Sequence, residues 1–355
     1  MRRYTHSSKL ISLGSFALVL VLVLFARGVG AEEDAAESRA EAPVGQLFTF
    51  RHNAMATVFE IQFYPPSPNM LREDVQPIAE EVFAYIDALE SRISNWQEES
   101  LISRVNREAY EKPVVVSADI MALLEFSQDM HEKTDGIFDV TVGPLLELWG
   151  FYRKAGHLPN AEELQTALDR VGMQYVEIDV EEDTVRLLKP GMHIDFGGIG
   201  KGYAVDMGIR ILERHGVTRA LFHSGTSSAY ALGAPPGREG WTVRLERAYT
   251  LGETHVEEVT IRDESFSTSS GFEKFFELGG RRYGHIFDPR TGMPAEPVVL
   301  TSMVTGPTGT LTDALATAFY VMGPEEVAAY VERNPEVGAV LLVRDEDGEV
   351  RAKRY

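Results

Sequence analysis

Apolar residues recur along this chain with two periods. From Val75 to Ile93, the residues Ile78, Val82, Ile86, Leu89 and Ile93 fall at steps of three and four, one face of an amphipathic helix. Leu47 to Arg51 and Thr57 to Phe63 instead alternate, as half-buried strands do, and His52-Asn-Ala-Met-Ala56 joins them. Ser117 is placed to cap a second helix running to about Lys133, which Asp135-Gly136 ends. A third helix is predicted over about Ala161 to Val171, then short strands at Tyr175 to Val180 and Thr184 to Leu188. After a short apolar strand and a glycine-rich turn comes a helix from about Lys201 to His215. Arg219 to His223 and Ala229 to Leu232 read as strands of one sheet, which Trp241 to Arg247, Val256 to Arg262 and Ser265 to Thr268 are expected to continue. Val298 to Thr305 is a further strand, Thr312 to Met322 and Pro324 to Asn334 are helices, and Ala339 to Val343 is a late strand. Helices set among mostly antiparallel strands indicate an α+β fold of mixed, mostly antiparallel sheets packed with helices. No repeat period is visible.

The first 44 residues do not fit this pattern. Arg2, Arg3 and Lys9 precede an apolar run from Phe16 to Ala26, and Val29-Gly30-Ala31 is an acceptable small-residue cleavage site. The run is about 11 residues, short of the roughly 20 that span a bilayer comfortably. Residues 1–31 are read as an export signal, with an uncleaved N-terminal anchor as the alternative. Residues 32–44, rich in Glu, Ala and Ser, are read as a flexible tether, and 45–355 as the folded domain.

The chain has 34 basic and 54 acidic residues, a formal charge of −20, and loss of residues 1–31 removes four basic residues and no acid, giving −24. Such a surface repels nucleic acid and anionic lipid. Two like charges 4 Å apart cost roughly 1 kcal/mol in water and about 4 at an effective dielectric of 20. A site for an anionic ligand therefore needs a divalent cation or a well-placed lysine. The absence of cysteine excludes disulfides, thiolate metal sites and cysteine nucleophiles.

Several segments carry residues suited to chemistry. His193 to Asp206 places Asp195 and Lys201 among glycines at the entry to a helix, where backbone amides favour an anion. It is neither a P-loop, since Gly202 follows Lys201, nor the dinucleotide fingerprint, which its glycine spacing misses. Asp313 and Thr317 lie one helical turn apart. They are oxygen ligands of the kind Mg²⁺ takes, or else an aspartate favouring the helix dipole and a threonine bonding back to a carbonyl. His285, in Gly284-His-Ile-Phe-Asp-Pro-Arg-Thr-Gly292, is able to accept a proton from an alcohol, or is structural beside an Asp288-Pro289 turn. Gly136 to Phe151 carries Phe138, Trp149 and Phe151 as core or as the wall of a sharp bend beside something large. Trp96, within Ser94 to Asn106, offers a ring face for stacking or is an ordinary loop tryptophan.

Together and in this order, these segments resemble the FAD:protein FMN transferase family, also called ApbE, from about His52 to Gly323. His-Asn-Ala-Met-Ala-Thr is similar to the family's Met-Gly-Thr element, with Ala56 for the glycine. Gly136 to Phe151 is similar to its Phe-Asp-Val-Thr-x-Gly-Pro-Leu-x-x-Leu-Trp-Gly-Phe signature. The Asp195 to Asp206 turn, the His-x-x-Asp-Pro-x-Thr-Gly segment and the Asp-Ala-x-x-Thr helix also correspond.

The resemblance implies a flavin site in a central cleft. The implied reaction is Mg²⁺-dependent cleavage of FAD with transfer of FMN to a threonine hydroxyl of an acceptor flavoprotein, releasing AMP. Met55, Trp96, Ile137, Phe138, Asp139, Asp195, Lys201 and Phe287 would contact FAD. Asp313 and Thr317 would hold the metal by side chains, and Gly198 and Ala316 by backbone carbonyls. His285 would take the threonine proton. The export signal places such an enzyme in the periplasm or on the outer face of the inner membrane, acting on a membrane or periplasmic redox subunit. An FAD pyrophosphatase and a non-catalytic FAD-binding protein are the alternatives. At His223 to Tyr230 the chain lacks the family's Gly-Gly-Asp-like loop, so no role is carried over there.

Overall fold

The computed structural model describes residues 45–250, 253–271, 274–295, 298–345 and 347–355. The expected signal and tether, residues 1–44, lie outside the described residues. Along the chain come β1 (Phe48–Ala54), β2 (Thr57–Phe63), α1 (Arg72–Ile93), α2 (Leu101–Glu108), β3 (Val114–Val115), α3 (Ala118–Lys133), α4 (Gly143–Leu148) and α5 (Ala161–Leu168). The middle third holds β4 (Val176–Asp179), β5 (Thr184–Leu187), α6 (Gly200–Arg214), β6 (Ala220–Ser224), β7 (Ser228–Leu232), β8 (Trp241–Thr250), β9 (Glu253–Ile261) and β10 (Glu264–Ser269). The last third holds β11 (Phe275–Leu278), β12 (Arg281–Gly284), β13 (Phe287–Asp288), β14 (Met293–Pro294), β15 (Val299–Gly306), α7 (Gly309–Met322), α8 (Pro324–Arg333), β16 (Gly338–Arg344) and β17 (Val350–Arg354).

The main sheet has eight antiparallel strands in the order β1-β2-β6-β7-β10-β15-β16-β17. Strand alternation gives it two faces. Phe59, Ile61 and Phe63 turn to one face and pack with Ile86 and Leu89 of α1, Leu212 of α6 and Phe319 of α7. Leu221, Ala231, Phe266 and Leu342 turn to the other, where Trp241, Val243 and Ile261 of the β8–β9 ribbon cover them. Burial on both faces of the sheet is what supports a chain without disulfides. The fold is α+β, as the pattern of helices and antiparallel strands predicts.

Several local expectations change. The β8–β9 ribbon forms its own sheet instead of continuing the strands before it, because apolar alternation marks a buried face but not which neighbour pairs with it. Ser94 to Asn106 is not all loop: α2 begins at Leu101, and the Ser100 hydroxyl accepts the Ser103 amide. Ser117 stands at the start of α3 but its side chain makes no cap bond. The expected strand before the glycine turn is a single parallel bridge between Val142 and His193. The bend after Gly143 is a short helix, and β3, β11 to β14 and β17 are too short or too polar to have shown a period.

Candidate functional site

The site is assembled at a crossing of two helices. α6 and α7 approach so closely that a Cβ on Gly202 would lie 2.1 Å from the Gly309 carbonyl oxygen, and one on Gly309 2.6 Å from the Gly202 oxygen. Each helix caps the other. Asp206 of α6 accepts the Gly309 and Thr310 amides and the Thr310 hydroxyl. The Gly202 amide of α6 donates to Asp313 Oδ2 of α7 at 2.9 Å. In a continuous helix that amide would bond the carbonyl four residues back, at Gly198. With the amide taken by Asp313, the Gly198 carbonyl receives no backbone donor among the described residues.

That carbonyl belongs to a glycine lying against Thr317. A Cβ on Gly198 would sit 3.4 Å from Thr317 Oγ1 and 3.4 Å from the Phe138 ring. Thr317 Oγ1 donates to the Asp313 carbonyl oxygen at 3.3 Å and lies 3.3 Å from Ser269 Oγ on β10. The expected back-bond of Thr317 is thus present. Asp313 reaches across to α6: it is 2% exposed and lies in the second turn of α7, whose start is capped by Thr308. Gly198, Asp313 and Thr317 offer oxygen donors only, with a single carboxylate, and Ala316 is buried in α7 just before Thr317. A hard cation fits such a set and would retain positions for ligand oxygens. Groups of three or more His, Asp or Glu side chains that would hold a metal by themselves are absent among the described residues. Lys201, half-buried at the start of α6, forms no ion pair among the described residues and supplies positive charge beside the turn.

Asp195 stands at the other end of the glycine turn. Its Oδ2 accepts Tyr152 Oη at 2.6 Å and Asn95 Nδ2 at 3.1 Å, and its Oδ1 accepts the Gly197 amide at 2.6 Å. Trp96 follows Asn95, is 61% exposed, and meets Tyr152 edge-on with centroids 5.7 Å apart. The C-terminal end of α1 gathers these parts: Ile93 packs on Gly200, and Glu90 accepts the Met55 amide at 2.9 Å. Met55 and Ala56 form the two-residue tip of the β1–β2 hairpin, with φ of 48° and 58°.

Other expected contacts sit behind the turn. Ile137 and Phe138 are buried at 5% and 3% exposure, and only Phe138 reaches Gly198. The Asp139 carboxylate is turned inward. It accepts the Thr141 amide and hydroxyl and the Met173 amide, and pairs with His131 at 3.3 Å. That carboxylate, more than anything opposing it, holds the His131 pKa above its ordinary value. Asp139 therefore shapes the loop that carries Phe138. Phe287 packs with Trp149 and Phe151 in an aromatic cluster that Phe276 and Tyr283 complete. Trp149 Nε1 donates to the Gly292 carbonyl at 3.0 Å, joining the two motifs that contain them.

The His285 ring borders this cluster, its centroid 6.4 Å from that of Phe151. A Cβ on the preceding Gly284 would lie 3.4 Å from the Gly271 backbone, two residues beyond Ser269. His285 Nδ1 lies 3.1 Å from the Lys274 carbonyl oxygen. A carbonyl only accepts, so Nδ1 carries the proton and Nε2 is the basic nitrogen of the neutral ring. Asp288 starts the turn as expected, accepting the Thr291 and Gly292 amides.

Sequence reasoning missed Asn95, Tyr152, Asp206 and Ser269. Asp206 closed the glycine motif and Ser269 followed a predicted strand, yet neither had a partner visible in one dimension. Tyr152 carried no signal.

Residues 55–341 match the ApbE family. A Treponema pallidum (strain Nichols) protein named FAD:protein FMN transferase is 33% identical over 344 residues, covering 92% of this chain and 90% of its own length. A Klebsiella pneumoniae (strain 342) protein of the same name is 30% identical, over 75% of this chain and 77% of its own. Among solved structures, the apo form of the Pseudomonas stutzeri flavinyl transferase ApbE superposes with a TM-score of 0.77 at 27% identity, covering 88% of this chain and 95% of its own.

Proposed function

This chain belongs to the ApbE family, and from that membership we propose that it is an FAD:protein FMN transferase that cleaves FAD, joins FMN to a threonine hydroxyl of an acceptor flavoprotein and releases AMP. The observation that carries the reading is the meeting of Asp313, Thr317 and the carbonyl of Gly198 at one glycine turn, with Lys201 beside them.

In this reading Asp313 and Thr317, with the carbonyls of Gly198 and Ala316, would hold Mg²⁺. When bound, Mg²⁺ would neutralise charge on the pyrophosphate and on the departing AMP. Lys201 adds a point charge for the same phosphates. His285 Nε2 takes the proton of the acceptor threonine, whose oxygen bonds the FMN phosphorus. The bond from that phosphorus to the bridging oxygen breaks, and AMP leaves. Trp96 offers an exposed ring face, and Phe138 packs against the turn from below. The basic and apolar N-terminal run supports an exported enzyme in the periplasm or on the outer face of the inner membrane, with a membrane or periplasmic redox subunit as acceptor.

Incubation of the protein with FAD and Mg²⁺, with and without an acceptor domain, tests the reading. Protein-linked FMN together with AMP is the expected result. AMP with free FMN alone would make it a pyrophosphatase, and FAD binding without turnover would make it a carrier. Substituting His285→Ala should lower transfer by about 10²–10⁴-fold while FAD still binds.

A further inference from the structure

We propose that Tyr152, assisted by Asn95, is a positioning residue that locks one oxygen of Asp195 and aims the other at a hydrogen-bond donor of the bound nucleotide. The inference rests on the flavin-transferase reading and names what Asp195 recognises within it.

Tyr152 is fixed on three sides. Its ring stacks on His193 with centroids 5.1 Å apart at 22°, and meets Trp96 edge-on at 81°. Its hydroxyl donates to Asp195 Oδ2 at 2.6 Å. Burial, with Asp195 adding to it, pushes the phenol pKa well above its ordinary value, so the hydroxyl keeps its proton and stays a donor. Asn95 is fixed as well. Its Oδ1 accepts Asn106 Nδ2 at 3.0 Å and His193 Nε2 at 3.2 Å, which leaves Nδ2 to donate to the Ile194 carbonyl and to Asp195 Oδ2. His193 is itself held uncharged by burial, so its Nε2 proton is committed to Asn95. Two donors from two segments therefore converge on the same oxygen, Oδ2.

The other oxygen is treated differently. Among the described residues Oδ1 accepts only the Gly197 amide, at 2.6 Å, and Gly197 is exposed. Each carboxylate oxygen has two lone-pair sites. One site on Oδ1 thus remains open beside the glycine turn. A carboxylate presents nothing but acceptors, and it repels phosphate oxygens. The group it faces has to be a donor: an exocyclic amine, a ring N–H or a sugar hydroxyl of the nucleotide. Asp195 then discriminates nucleotides by their donors, while charge neutralisation of the diphosphate would fall to Lys201 and to a cation held by the oxygen set at Thr317. Tyr152 determines how sharply it does so, because a carboxylate held at one oxygen cannot turn.

The test is Tyr152→Phe in the full-length protein, which keeps the ring and its stacking and removes only the hydroxyl. The dissociation constant for FAD is read from flavin fluorescence, and kcat and KM from AMP release with Mg²⁺. Loss of one charge-assisted hydrogen bond should weaken FAD binding about tenfold, and the loss should appear in KM for FAD. In an Asp195→Asn background, the same change should cost less than about twofold. A Tyr152→Leu variant controls for packing. If Tyr152→Phe binds FAD as the wild type does and only Tyr152→Leu is weakened, Tyr152 is a packing residue and the inference fails. Equal penalties in the wild-type and Asp195→Asn backgrounds would also overturn it. Wild-type protein that binds no FAD would instead defeat the underlying functional reading, so the two failures are distinguishable.

Discussion

Glu60 lies where β1, β2 and β6 meet, beside Arg51, Gln62 and His223. The His223 imidazole, whose Nε2 lies 3.6 Å from Oε1, with Gln62 and Arg51 adding to it, outweighs burial and holds the Glu60 carboxyl at about 2. A pKa depressed in the folded state means stability present above the unfolded value of about 4.5 and lost as pH falls through about 2. Glu60→Gln should therefore flatten the decline in urea midpoint between those two pH values and lower the midpoint at pH 7. The same seam explains the divergent loop. His223 Nδ1 donates to the Gly225 carbonyl and Ser224 Oγ to that of Ser228, so the β6–β7 turn is closed by its own side chains. Ala56 shows a cost of the opposite kind. It holds φ of 58°, where an L-residue with a Cβ is disfavoured by about 1–2 kcal/mol. Ala56→Gly, which restores the glycine of the resembling motif, should stabilise the protein by up to about 1 kcal/mol in thermal or urea unfolding.

At the scale of elements, the crossing of α6 and α7 decides most. Gly202 and Gly309 leave room for backbone against backbone, and each helix then lends a carboxylate to the other's N-terminus, where the dipole favours it. Gly202→Ala would force the helices apart at a contact of 2.1 Å. It should cost about 1–3 kcal/mol by overpacking, measured as a drop in Tm, and raise the Mg²⁺ concentration needed for half-maximal AMP release, because Asp313 loses its amide partner. The helices themselves were legible from period and caps within a few residues. α2 was not, since eight residues with Leu101, Ile102 and Val105 as their apolar side are too few for a period to stand out; its existence depends on Ser100 and on burial of Ile102 and Val105. The β11–β12 hairpin was also hidden, because Phe276 and Tyr283 find their apolar partner, Trp149, more than 120 residues away.

For the whole molecule, a net charge of −20 sets the terms on which an anionic nucleotide enters. Chelation of Mg²⁺ with EDTA should abolish AMP release and weaken FAD binding, and raising ionic strength in the absence of Mg²⁺ should recover part of the binding as repulsion is screened. Asp313→Ala should reproduce the loss of turnover at all Mg²⁺ concentrations, measured by initial rates. The sequence by itself determined the α+β class, the α6 and α7 segments and the motifs that meet at the glycine turn, because local period, glycine placement and residue chemistry are written along the chain. Tertiary structure alone decided which faces those residues share. It turned Asp139 inward, set Asp313 on the amide that would have closed over Gly198, and brought Tyr152 to Asp195 across 43 positions. Such pairings follow from close packing of distant segments, and no one-dimensional pattern encodes which donor will find which acceptor once both are buried.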